Sequence, residues 1–455
     1  MDIRGKNITV VGAARSGLAV ARLLARKGAS VFLTELGQAG DGVQAQLTAA
    51  GVAFEFGGHT DRALAADLVV ISPGVPSKAP LVQNALAAGI PVYSEVEAAS
   101  WFCVPPILAI TGTNGKTTTT SLAAHMFETA AFPHLVGGNI GFPFSDHVED
   151  FGKDAVAVLE ISSFQLDHAE HFRPKVSVLL NITPDHLDRY DYQFEKYVAS
   201  KYKIFAQQGE GDFLVYNADD PVLKAAILEK SKDKAFRTCP FTLQHVPEEG
   251  IFVQDGWITV RLNGEETRVL EAASVSIPGQ HNLYNAMAAT LAAHLMGVDW
   301  EPIRKALTTF QGVPHRLEFV RELHGVRYVN DSKATNVDAA WYALGSFRQP
   351  IVLLAGGRDK GNDYTPLYDL VRKNVRTVIG VGEESGHKVV ETLGSVAPHA
   401  DFAPTMEEAV QKAQQWAQTG DVVLLSPACA SFDLFKNYEH RGEVFKTLVQ
   451  ALNGA

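Results

Sequence analysis

Short apolar runs alternate with longer amphipathic segments along nearly the whole chain. The runs are rich in Val, Ile and Leu, and the segments between them are rich in Ala and Leu. This alternation is typical of βαβ units, in which a parallel sheet is buried between helices. The sequence therefore predicts an α/β protein with mostly parallel sheets. Its predicted buried strands include residues 8–12, 31–34, 68–72, 107–111, 156–161, 176–181, 213–217, 351–355, 377–380 and 422–426.

The length of the chain predicts more than one domain. A chain of 455 residues is too long for a single hydrophobic core. Residues 1–97 open with a βαβ start, and residues 98–312 carry a glycine-rich loop followed by alternating strand signals from 250 to 270. A third block covers residues 313–455. We therefore expect three domains, the second of which contains a small additional β patch.

Composition excludes several classes of protein. Forty basic against fifty-one acidic side chains give a net charge of −11, which argues against nucleic-acid binding by broad phosphate neutralisation. The three cysteines are far apart and lack a CxxC spacing, so neither a disulfide framework nor a thiolate zinc site is expected. No apolar run approaches the ~18 residues that span a bilayer. Since the N-terminus also lacks the features of a signal peptide, we expect a cytoplasmic protein.

The stretch AITGTNGKTTTTS is a candidate phosphate-binding loop. It departs from the strict pattern, because Ile110 stands six positions before the lysine and the glycines are Gly112 and Gly115. The physical requirements are still met: consecutive backbone N–H groups can form an anion nest, Lys116 can reach terminal phosphates, and the Thr117 hydroxyl can ligate Mg²⁺. Such a loop serves kinases, ATPases, GTPases and ligases, so it leaves the reaction open.

Polar residues follow several predicted strands, where ligands bind in open parallel sheets. Glu160 ends one such strand and is well placed to bind Mg²⁺ directly or through water. His186 follows another strand, and a structural role is as compatible with its position as a ligand role. Lys201 and Lys203 are two apart on a predicted helix and so face different directions. A solvated helix face is the alternative for both lysines.

The N-terminal stretch VVGAARSGLAVARLLARKGASVFLTE begins like a dinucleotide-binding unit. Gly12 and Gly17 flank its strand-to-helix turn, and Glu35 ends the second strand. The middle glycine of the pattern is replaced by Ala14, and Arg15 lies in the turn. The turn therefore suits a nucleotide diphosphate about as well as NAD, and a turn without a ligand is a third possibility.

Eleven short stretches, in order along the chain, resemble the Mur ligase family. They are SPGVP, TGTNGKTTTT, GGNIG, EISSFQL, NITPDHLDRY, ASK, GQHN, HRLE, NDSKATN, GGRDKG and SPACASFDLFKNYEHRG. The resemblance implies a Rossmann-like UDP-binding domain (1–97), a central P-loop ATPase-like domain (98–312) and a Rossmann-like amino-acid-binding domain (313–455). It also implies ATP-dependent addition of D-glutamate to UDP-N-acetylmuramoyl-L-alanine in peptidoglycan precursor synthesis. The reaction would pass through an acyl phosphate and a tetrahedral intermediate, and the protein is expected to be a monomer.

The resemblance further implies the residues of each site. The expected catalytic positions are Lys116, Glu160, His186 and Lys201. The expected ATP-binding positions are Gly112, Thr113, Asn114, Gly115, Lys116, Thr117, Thr118, Asn282, Arg316, Asp331 and Lys333. The UDP-sugar would contact Arg15, Ser16, Glu35, Ser72, Gly74, Asn139, Gln165 and His186. D-Glutamate would contact Thr335, Lys360, Ser431 and Tyr438, the last standing where some members have phenylalanine.

Two Mg²⁺ ions are implied as well. Their expected ligands are Thr117, Glu160, His186 and Lys201. Lys201 would be N-carboxylated, because a carbamate turns a cationic amine into the anionic oxygen ligand that Mg²⁺ prefers.

Three alternatives compete with this reading. A sister enzyme of the family would add another amino acid or extend folate with glutamate. An NAD-dependent oxidoreductase would account for VVGAARSG but would leave the central domain unexplained. A catalytically silent subunit would be expected to lack Lys116, Glu160 or Lys201, and all three are present.

Overall fold

Three β-sheets organise the chain. The computed structural model describes residues 1–40, 42–232, 234–359 and 361–452. The chain divides into two compact units. The first comprises Met1–Val275 and Tyr284–Thr309 and holds two sheets, whereas the second comprises Ser276–Leu283 and Phe310–Ala455 and holds the third. The strands of the three sheets lie within the three predicted blocks, but the domain boundaries themselves stay a prediction.

The first sheet has five parallel strands in the order β3-β2-β1-β4-β5. Its strands are β1 (Asn7–Val11), β2 (Ser30–Glu35), β3 (Ala53–Phe56), β4 (Leu68–Ile71) and β5 (Val92–Ser94). Its helices are α1 (Arg15–Arg26), α2 (Val43–Ala49), α3 (Pro80–Ala87) and α4 (Glu95–Ser100). The chain moves outward from β1 to β3 and then returns to β4 on the other side of β1. The carboxyl ends of β1 and β4 therefore flank a topological switch point, where such sheets bind ligands.

The second sheet has nine strands in the order β14-β13-β12-β11-β10-β9-β6-β8-β7. They are β6 (Ile107–Thr111), β7 (His134–Gly138), β8 (Val156–Glu160), β9 (Val176–Leu179), β10 (Phe213–Asn217), β11 (Arg237–Thr242), β12 (Gly250–Gln254), β13 (Trp257–Leu262) and β14 (Glu265–Glu271). The accompanying helices are α5 (Lys116–Thr129), α6 (Phe144–His147), α7 (Ser163–Asp167), α8 (Phe194–Tyr202), α9 (Pro221–Lys230), α10 (Gln280–Leu295) and α11 (Trp300–Thr309). The predicted β patch is the antiparallel end of this sheet, because β12 pairs in parallel with β11 and then antiparallel with β13.

The third sheet has six strands in the order β15-β16-β20-β17-β18-β19. They are β15 (Glu318–Leu323), β16 (Val326–Asn330), β17 (Ile351–Ala355), β18 (Val375–Val381), β19 (His399–Ala403) and β20 (Val422–Leu425). Its helices are α12 (Val337–Gly345), α13 (Tyr368–Asn374), α14 (Gly386–Thr392), α15 (Met406–Trp416) and α16 (Tyr438–Ala451). Only the edge strand β15 is antiparallel to its neighbour. The last strand, β20, lies between β16 and β17, so the loops after these three strands are neighbours.

The ten strands named from the sequence are all present, with ends that agree within two residues. Strands outside that set, such as β3 and β19, have few fully buried residues and therefore no continuous apolar run. Six short 3-10 helices complete the described elements: Asp61–Leu64, Leu187–Tyr190, Lys203–Phe205, Ala272–Ser274, Thr365–Leu367 and Gly394–Val396. Within the described ranges, no helix is both long enough and apolar enough to cross a membrane.

A buried carboxyl group joins the helices of the first two sheets. Glu95, the first residue of α4, is fully buried. Its Oε1 accepts hydrogen bonds from the Ser145 backbone N–H (2.8 Å) and hydroxyl (2.5 Å), whereas its Oε2 has no partner among the described residues. Burial raises the pKa of Glu95 to about 7; the Ser145 donors oppose this shift and Asp146 adds to it. The folded state therefore favours the protonated acid.

This shift predicts a pH-dependent stability. The pKa of Glu95 in the folded protein lies above its ordinary value of 4.5. The contribution of protonated Glu95 to stability is therefore fully present below pH 4.5 and is lost as the pH rises through about 7. Between about pH 5 and pH 8 we expect the free energy of unfolding of the native protein to fall by about 3 kcal/mol relative to Glu95→Gln. Urea denaturation followed by circular dichroism at several pH values measures the difference. The exposed Glu210→Gln is the matched control, and parallel pH profiles for the native protein and Glu95→Gln would contradict the assignment.

Candidate functional site

The glycine-rich loop joins strand β6 to helix α5 at the carboxyl edge of the second sheet. Gly115 is the N-cap of α5 and adopts φ +86°, a left-handed conformation that side chains disfavour. A Cβ on Gly115 would lie 2.3 Å from Asn285 Oδ1, so the turn also leaves no room for one. Among the described residues, no side chain of the N-cap position forms a capping hydrogen bond at this end of α5. The positive end of the helix dipole and its first N–H groups are therefore directed at the loop, as in an anion-binding site.

Asn181, which follows strand β9, braces this loop from the neighbouring strand. Its side chain accepts a hydrogen bond from the Asn114 N–H (2.8 Å) and donates one to the Asn114 carbonyl (3.0 Å). Its backbone carbonyl accepts from the Thr113 N–H at 2.9 Å. The Thr113 hydroxyl in turn donates to the Thr183 carbonyl at 3.0 Å and lies 3.1 Å from the Tyr197 hydroxyl. The loop conformation is thus set by residues that lie outside the GTNGKTT motif.

Two lysines converge on this loop. The Lys116 ammonium donates to the carbonyls of Gly112 (2.9 Å) and Thr113 (2.8 Å). Lys201 reaches the same Gly112 carbonyl from helix α8, at 2.8 Å, and only 1% of its surface is exposed. Burial lowers the pKa of Lys201 well below its ordinary value, and the charge of Lys116 lowers it further. The alternative of a solvated helix face is therefore wrong for Lys201.

Glu160 supplies an anionic oxygen beside the two lysines. It ends strand β8, next to β6 in the sheet, and is 2% exposed. The Asn139 side chain donates to Oε1 at 2.7 Å, while Oε2 is buried with no hydrogen-bond partner among the described residues. The Asn139 backbone N–H also donates to the Glu160 carbonyl, at 2.8 Å. Asn139, predicted to contact the UDP-sugar, thus orients Glu160 in this structure.

His186 completes the cluster at its exposed side. It adopts φ +51°, and its ring packs edge-on against Phe164 with centroids 5.0 Å apart. The Arg189 guanidinium lies over the same Phe164 ring at 4.0 Å and donates to the Val75 carbonyl at 3.2 Å. Partial burial lowers the pKa of His186, Asp185 opposes this shift, and the charge of Lys116 adds to it. The neutral imidazole, which is the metal-binding form, is thereby favoured.

The residues of this cluster fit a magnesium ion. In the described part of the chain, no three His, Cys, Asp or Glu side chains lie close enough together to hold a metal. Glu160 nevertheless offers a buried carboxylate oxygen without a partner, and Thr117 follows Lys116 in the first turn of α5. An amine such as that of Lys201 is not an oxygen ligand, but a carbamate formed on it would be. The low pKa of Lys201 favours the neutral amine that can accept carbon dioxide.

Most of the predicted UDP-binding residues surround the turn after β1, at the switch point of the first sheet. Both oxygens of Glu35 accept backbone N–H groups, from Ala13 (2.7 Å) and Gly37 (2.8 Å). Burial opposes ionisation here, but these donors hold the pKa of Glu35 below its ordinary value. The buried Ser72 hydroxyl donates to the Gly12 carbonyl at 3.3 Å. A Cβ on Gly17 would lie 1.8 Å from that carbonyl, which explains the glycine.

The remaining predicted UDP-sugar positions have different environments. Arg15 is exposed and donates to the Gly141 carbonyl at 2.6 Å, so it reaches from the first sheet to the chain beside Asn139. Ser16 is half-buried in the first turn of α1, and Gly74 is exposed in the loop after β4. Gln165 is buried, and its oxygen accepts from the Ser162 N–H (2.9 Å) as half of a capping box at the start of α7. Its role toward a sugar stays a prediction.

The second unit holds the residues predicted to bind adenosine. Asp331, which follows β16, is buried and accepts hydrogen bonds from the Ser426 hydroxyl (2.8 Å) and the Leu317 N–H (3.2 Å). Burial raises the pKa of Asp331 to about 7, and the charge of Arg316 opposes this shift. The Arg316 Nε is buried without a hydrogen-bond partner among the described residues. Asn282 is buried and donates to the Pro278 carbonyl at 2.7 Å.

The residues predicted to bind D-glutamate follow β16 and β20. Thr335 donates its backbone N–H to the Lys333 carbonyl at 2.9 Å, and Ser431 is buried in the loop after β20. Lys333, predicted to reach the phosphates, has its ammonium 5.5 Å from the centre of the Tyr438 ring. Tyr438 begins helix α16. Lys360 lies outside the described residues.

Several residues that shape these sites lie outside the motifs of the sequence. Asn181 and Tyr197 brace the phosphate loop, and His315 packs beneath the second unit's loops. His315 is 6% exposed, adopts φ +64° and lies 3.0 Å from the Asn330 amide. Asn181 could have been found, because it ends a predicted strand. The other two become visible only when the packing is known.

All three parts of the chain match domains of known ligases. Residues 6–94 match the Mur ligase MurD-like N-terminal domain, residues 110–293 the Mur ligase middle domain, and residues 315–429 the Mur ligase glutamate ligase domain. Among solved structures, a pseudomurein peptide ligase type C from Methanothermus fervidus is similar in fold, with a TM-score of 0.60 and 18% identity over 99% of this chain and 100% of that one. Escherichia coli FolC in complex with ADP has a TM-score of 0.58 and 18% identity, over 78% of this chain and 92% of that one.

Full-length relatives are more similar in sequence. The UDP-N-acetylmuramoylalanine–D-glutamate ligase of Salinibacter ruber is 55% identical over 456 residues, which cover 99% of both chains. The proteins of the same name from Chlorobium limicola and Chloroherpeton thalassium are 46% and 45% identical, over 100% and 99% of each chain. The chain therefore belongs to the Mur ligase family.

Proposed function

We propose that this protein is an ATP-dependent ligase that joins D-glutamate to UDP-N-acetylmuramoyl-L-alanine in the cytoplasm. The observation that carries the proposal is the convergence of the Gly112–Lys116 loop, the unpartnered Glu160 oxygen and the buried Lys201 at one edge of the second sheet. Full-length relatives that bear this enzyme name support the choice of substrates. The product would be a precursor of peptidoglycan.

The reaction requires a carboxylate to be activated. ATP would phosphorylate the carboxylate of the L-alanyl group, which gives an acyl phosphate with a good leaving group. The amine of D-glutamate would then attack the acyl carbon, and phosphate would leave from a tetrahedral intermediate. The first step brings two anions together, so cations at the phosphate loop are a chemical necessity.

The residues of the first unit supply these cations and hold the reactants. The loop N–H groups and the N-terminus of α5 would hold the ATP phosphates, and Lys116 would leave its carbonyl partners to bind the terminal phosphate. The carboxyl edge of β1 and β4 would bind the UDP part of the donor, with Arg15, Ser16, Glu35, Ser72 and Gly74 around it. His186 lies on the exposed side of the cluster and would face the donor carboxylate.

Magnesium would be held by Thr117 and Glu160 at one position and by His186 with the carbamate of Lys201 at another. When bound, Mg²⁺ supplies positive charge that stabilises the transferring phosphoryl group. Because Glu160 is already oriented by Asn139, its free oxygen needs no rearrangement to accept such a ligand.

The second unit would bind the nucleoside of ATP and the amino acid. Asp331 and Arg316 are suited to a ribose and Asn282 to the adenosine. Thr335 and Ser431 on their loops, and Tyr438 at the start of α16, would bind the amino acid. We propose the domain boundaries 1–97, 98–312 and 313–455 for these functions, and a monomer as the working form. An NAD-dependent oxidoreductase would leave the phosphate loop and the buried Lys201 without a role.

A panel of amino acids tests the proposal. Phosphate release from ATP is measured with UDP-N-acetylmuramoyl-L-alanine and, in turn, D-glutamate, L-glutamate and L-lysine. We expect release only when the nucleotide sugar and D-glutamate are both present, because the amine is needed to complete the turnover. Equal release with all three amino acids, or release that is independent of the nucleotide sugar, would refute the proposed specificity.

Chemical rescue tests the role of Lys201. We expect Lys201→Ala to lose nearly all activity and to regain part of it when acetate is added, because a small carboxylate can occupy the place of the carbamate. Lys203→Ala is the matched control, since Lys203 is two residues further on and donates instead to the Asp167 carbonyl. It should keep its activity with or without acetate. Full activity of Lys201→Ala without acetate would exclude the carbamate.

A further inference from the structure

Arg441 is a buried cation in the second unit that the proposed reaction does not use. It lies in the first turn of α16 and is 1% exposed, and it is among the largest fully buried side chains. Burial lowers the pKa of Arg441 to about 10, so the guanidinium still carries its charge at neutral pH. Its hydrogen-bond partners in the described part of the chain are a hydroxyl and backbone carbonyls rather than carboxylates. The charges of Asp433 and Asp331 also favour the cation, but its direct hydrogen bonds are made to these oxygens.

The acceptors of Arg441 belong to two loops that carry proposed amino-acid-binding residues. Nε donates to the Ser332 hydroxyl at 2.9 Å, and a terminal nitrogen donates to the Ser332 carbonyl at 2.8 Å. Both terminal nitrogens also donate to the Cys429 carbonyl, at 3.1 and 3.2 Å. Ser332 is three residues from Thr335, and Cys429 is two residues from Ser431. The guanidinium therefore bridges the loop after β16 and the loop after β20.

Longer contacts extend the bridge to a third loop. Arg441 lies 3.5 Å from the Gly356 carbonyl, which follows β17, and 3.4 Å from the Ala430 carbonyl. A Cβ on Gly357 would lie 2.2 Å from that Ala430 oxygen and 3.0 Å from the Arg441 nitrogen. There is therefore no room for a side chain at Gly357, where the loop after β17 meets Ala430 and the Arg441 guanidinium.

Tyr438 is tied to the same arrangement. The Ser332 hydroxyl that accepts from Arg441 donates to the Tyr438 carbonyl at 2.8 Å. Because the guanidinium is planar and its donors point in fixed directions, it sets the relative positions of its acceptors more strictly than an ammonium would. Thr335, Ser431 and Tyr438, on separate elements, are all linked to Arg441 through Ser332 or Cys429.

We propose that Arg441 is a positioning residue for the acceptor amino acid, which holds the Ser332 and Cys429 loops at the spacing that lets Thr335 and Ser431 bind one amino acid together. This inference rests on the proposed function of the second unit. Arg441 does not contact the substrate itself in this account, since its donors are occupied by the loops.

Steady-state kinetics of Arg441→Lys and Arg441→Met test the proposal. At saturating ATP, we expect the KM for D-glutamate to rise about tenfold in Arg441→Lys and further in Arg441→Met, because the ammonium cannot reach both loops in the same geometry. The KM for UDP-N-acetylmuramoyl-L-alanine, whose proposed residues lie in the first unit, should stay within about twofold. A merely structural role would not change the KM for D-glutamate alone. It would also not predict a smaller change in Arg441→Lys than in Arg441→Met.

Arg321→Lys is the matched control. Arg321 also donates to backbone carbonyls, those of Val449, Gln450 and Leu452, but at the opposite end of helix α16. Arg321→Lys should lower the thermal midpoint of unfolding about as much as Arg441→Lys does, but it should leave both KM values unchanged. If Arg441→Met does not fold, Arg441→Lys decides the test.

Two outcomes would overturn the inference. One is an unchanged KM for the amino acid in a folded Arg441 variant, and the other is an equal change in both KM values. Failure of the native enzyme to use D-glutamate would instead count against the proposed function. The Arg441 test would then be made with the amino acid that the native enzyme accepts, so the two failures are distinguishable.

Discussion

Two lysine side chains donate to one backbone oxygen, the carbonyl of Gly112. Placing two cations on one acceptor in a buried site is unfavourable unless one amine is neutral or an anion joins them. Burial and the charge of Lys116 lower the pKa of Lys201, which shifts this amine toward its neutral form, and a carbamate on Lys201 would supply an anion. The surroundings prepare for such anions, with an uncapped helix N-terminus on one side and an oriented Glu160 on the other.

In the second unit, buried polar side chains hold loops in place. The carboxyl edge of its sheet is formed by the loops after β16, β17 and β20, and such loops have little rigidity of their own. Asp331, His315 and Arg441 give these loops fixed partners in the interior of the unit. The loops that carry Thr335 and Ser431 are thereby held by hydrogen bonds to buried groups.

Much of this account could be read from the sequence, and the exceptions have physical causes. Apolar runs identified the central strands because those strands are buried on both faces, whereas β3 and β19 are half-exposed and carry no such run. The β patch was recognised, but its continuity with the nine-stranded sheet depends on only two residue pairs between β11 and β12. Such long-range pairing leaves no local signal in a sequence.

The site residues show the same division. Short sequence motifs identified the Gly112–Lys116 loop and Glu160. The burial of Lys201, in contrast, depends on how α8 packs, because the spacing of residues on a helix does not show which face is covered. The sequence stretch that contains Gln165 suggested a sugar contact, while its oxygen serves a capping box. The proposed role of Arg441 depends on oxygens from distant parts of the chain, which no local motif shows.

In the proposed reaction, the phosphate loop holds the ATP that activates a carboxylate as an acyl phosphate. Its most direct test uses UDP-N-acetylmuramoyl-L-alanine labelled with oxygen-18 at both oxygens of the alanyl carboxylate, with mass analysis of the phosphate released. The account predicts one labelled oxygen in each phosphate, because the bond between the acyl carbon and that oxygen breaks when the amine displaces it. Unlabelled phosphate from a reaction that still forms the amide would contradict the account.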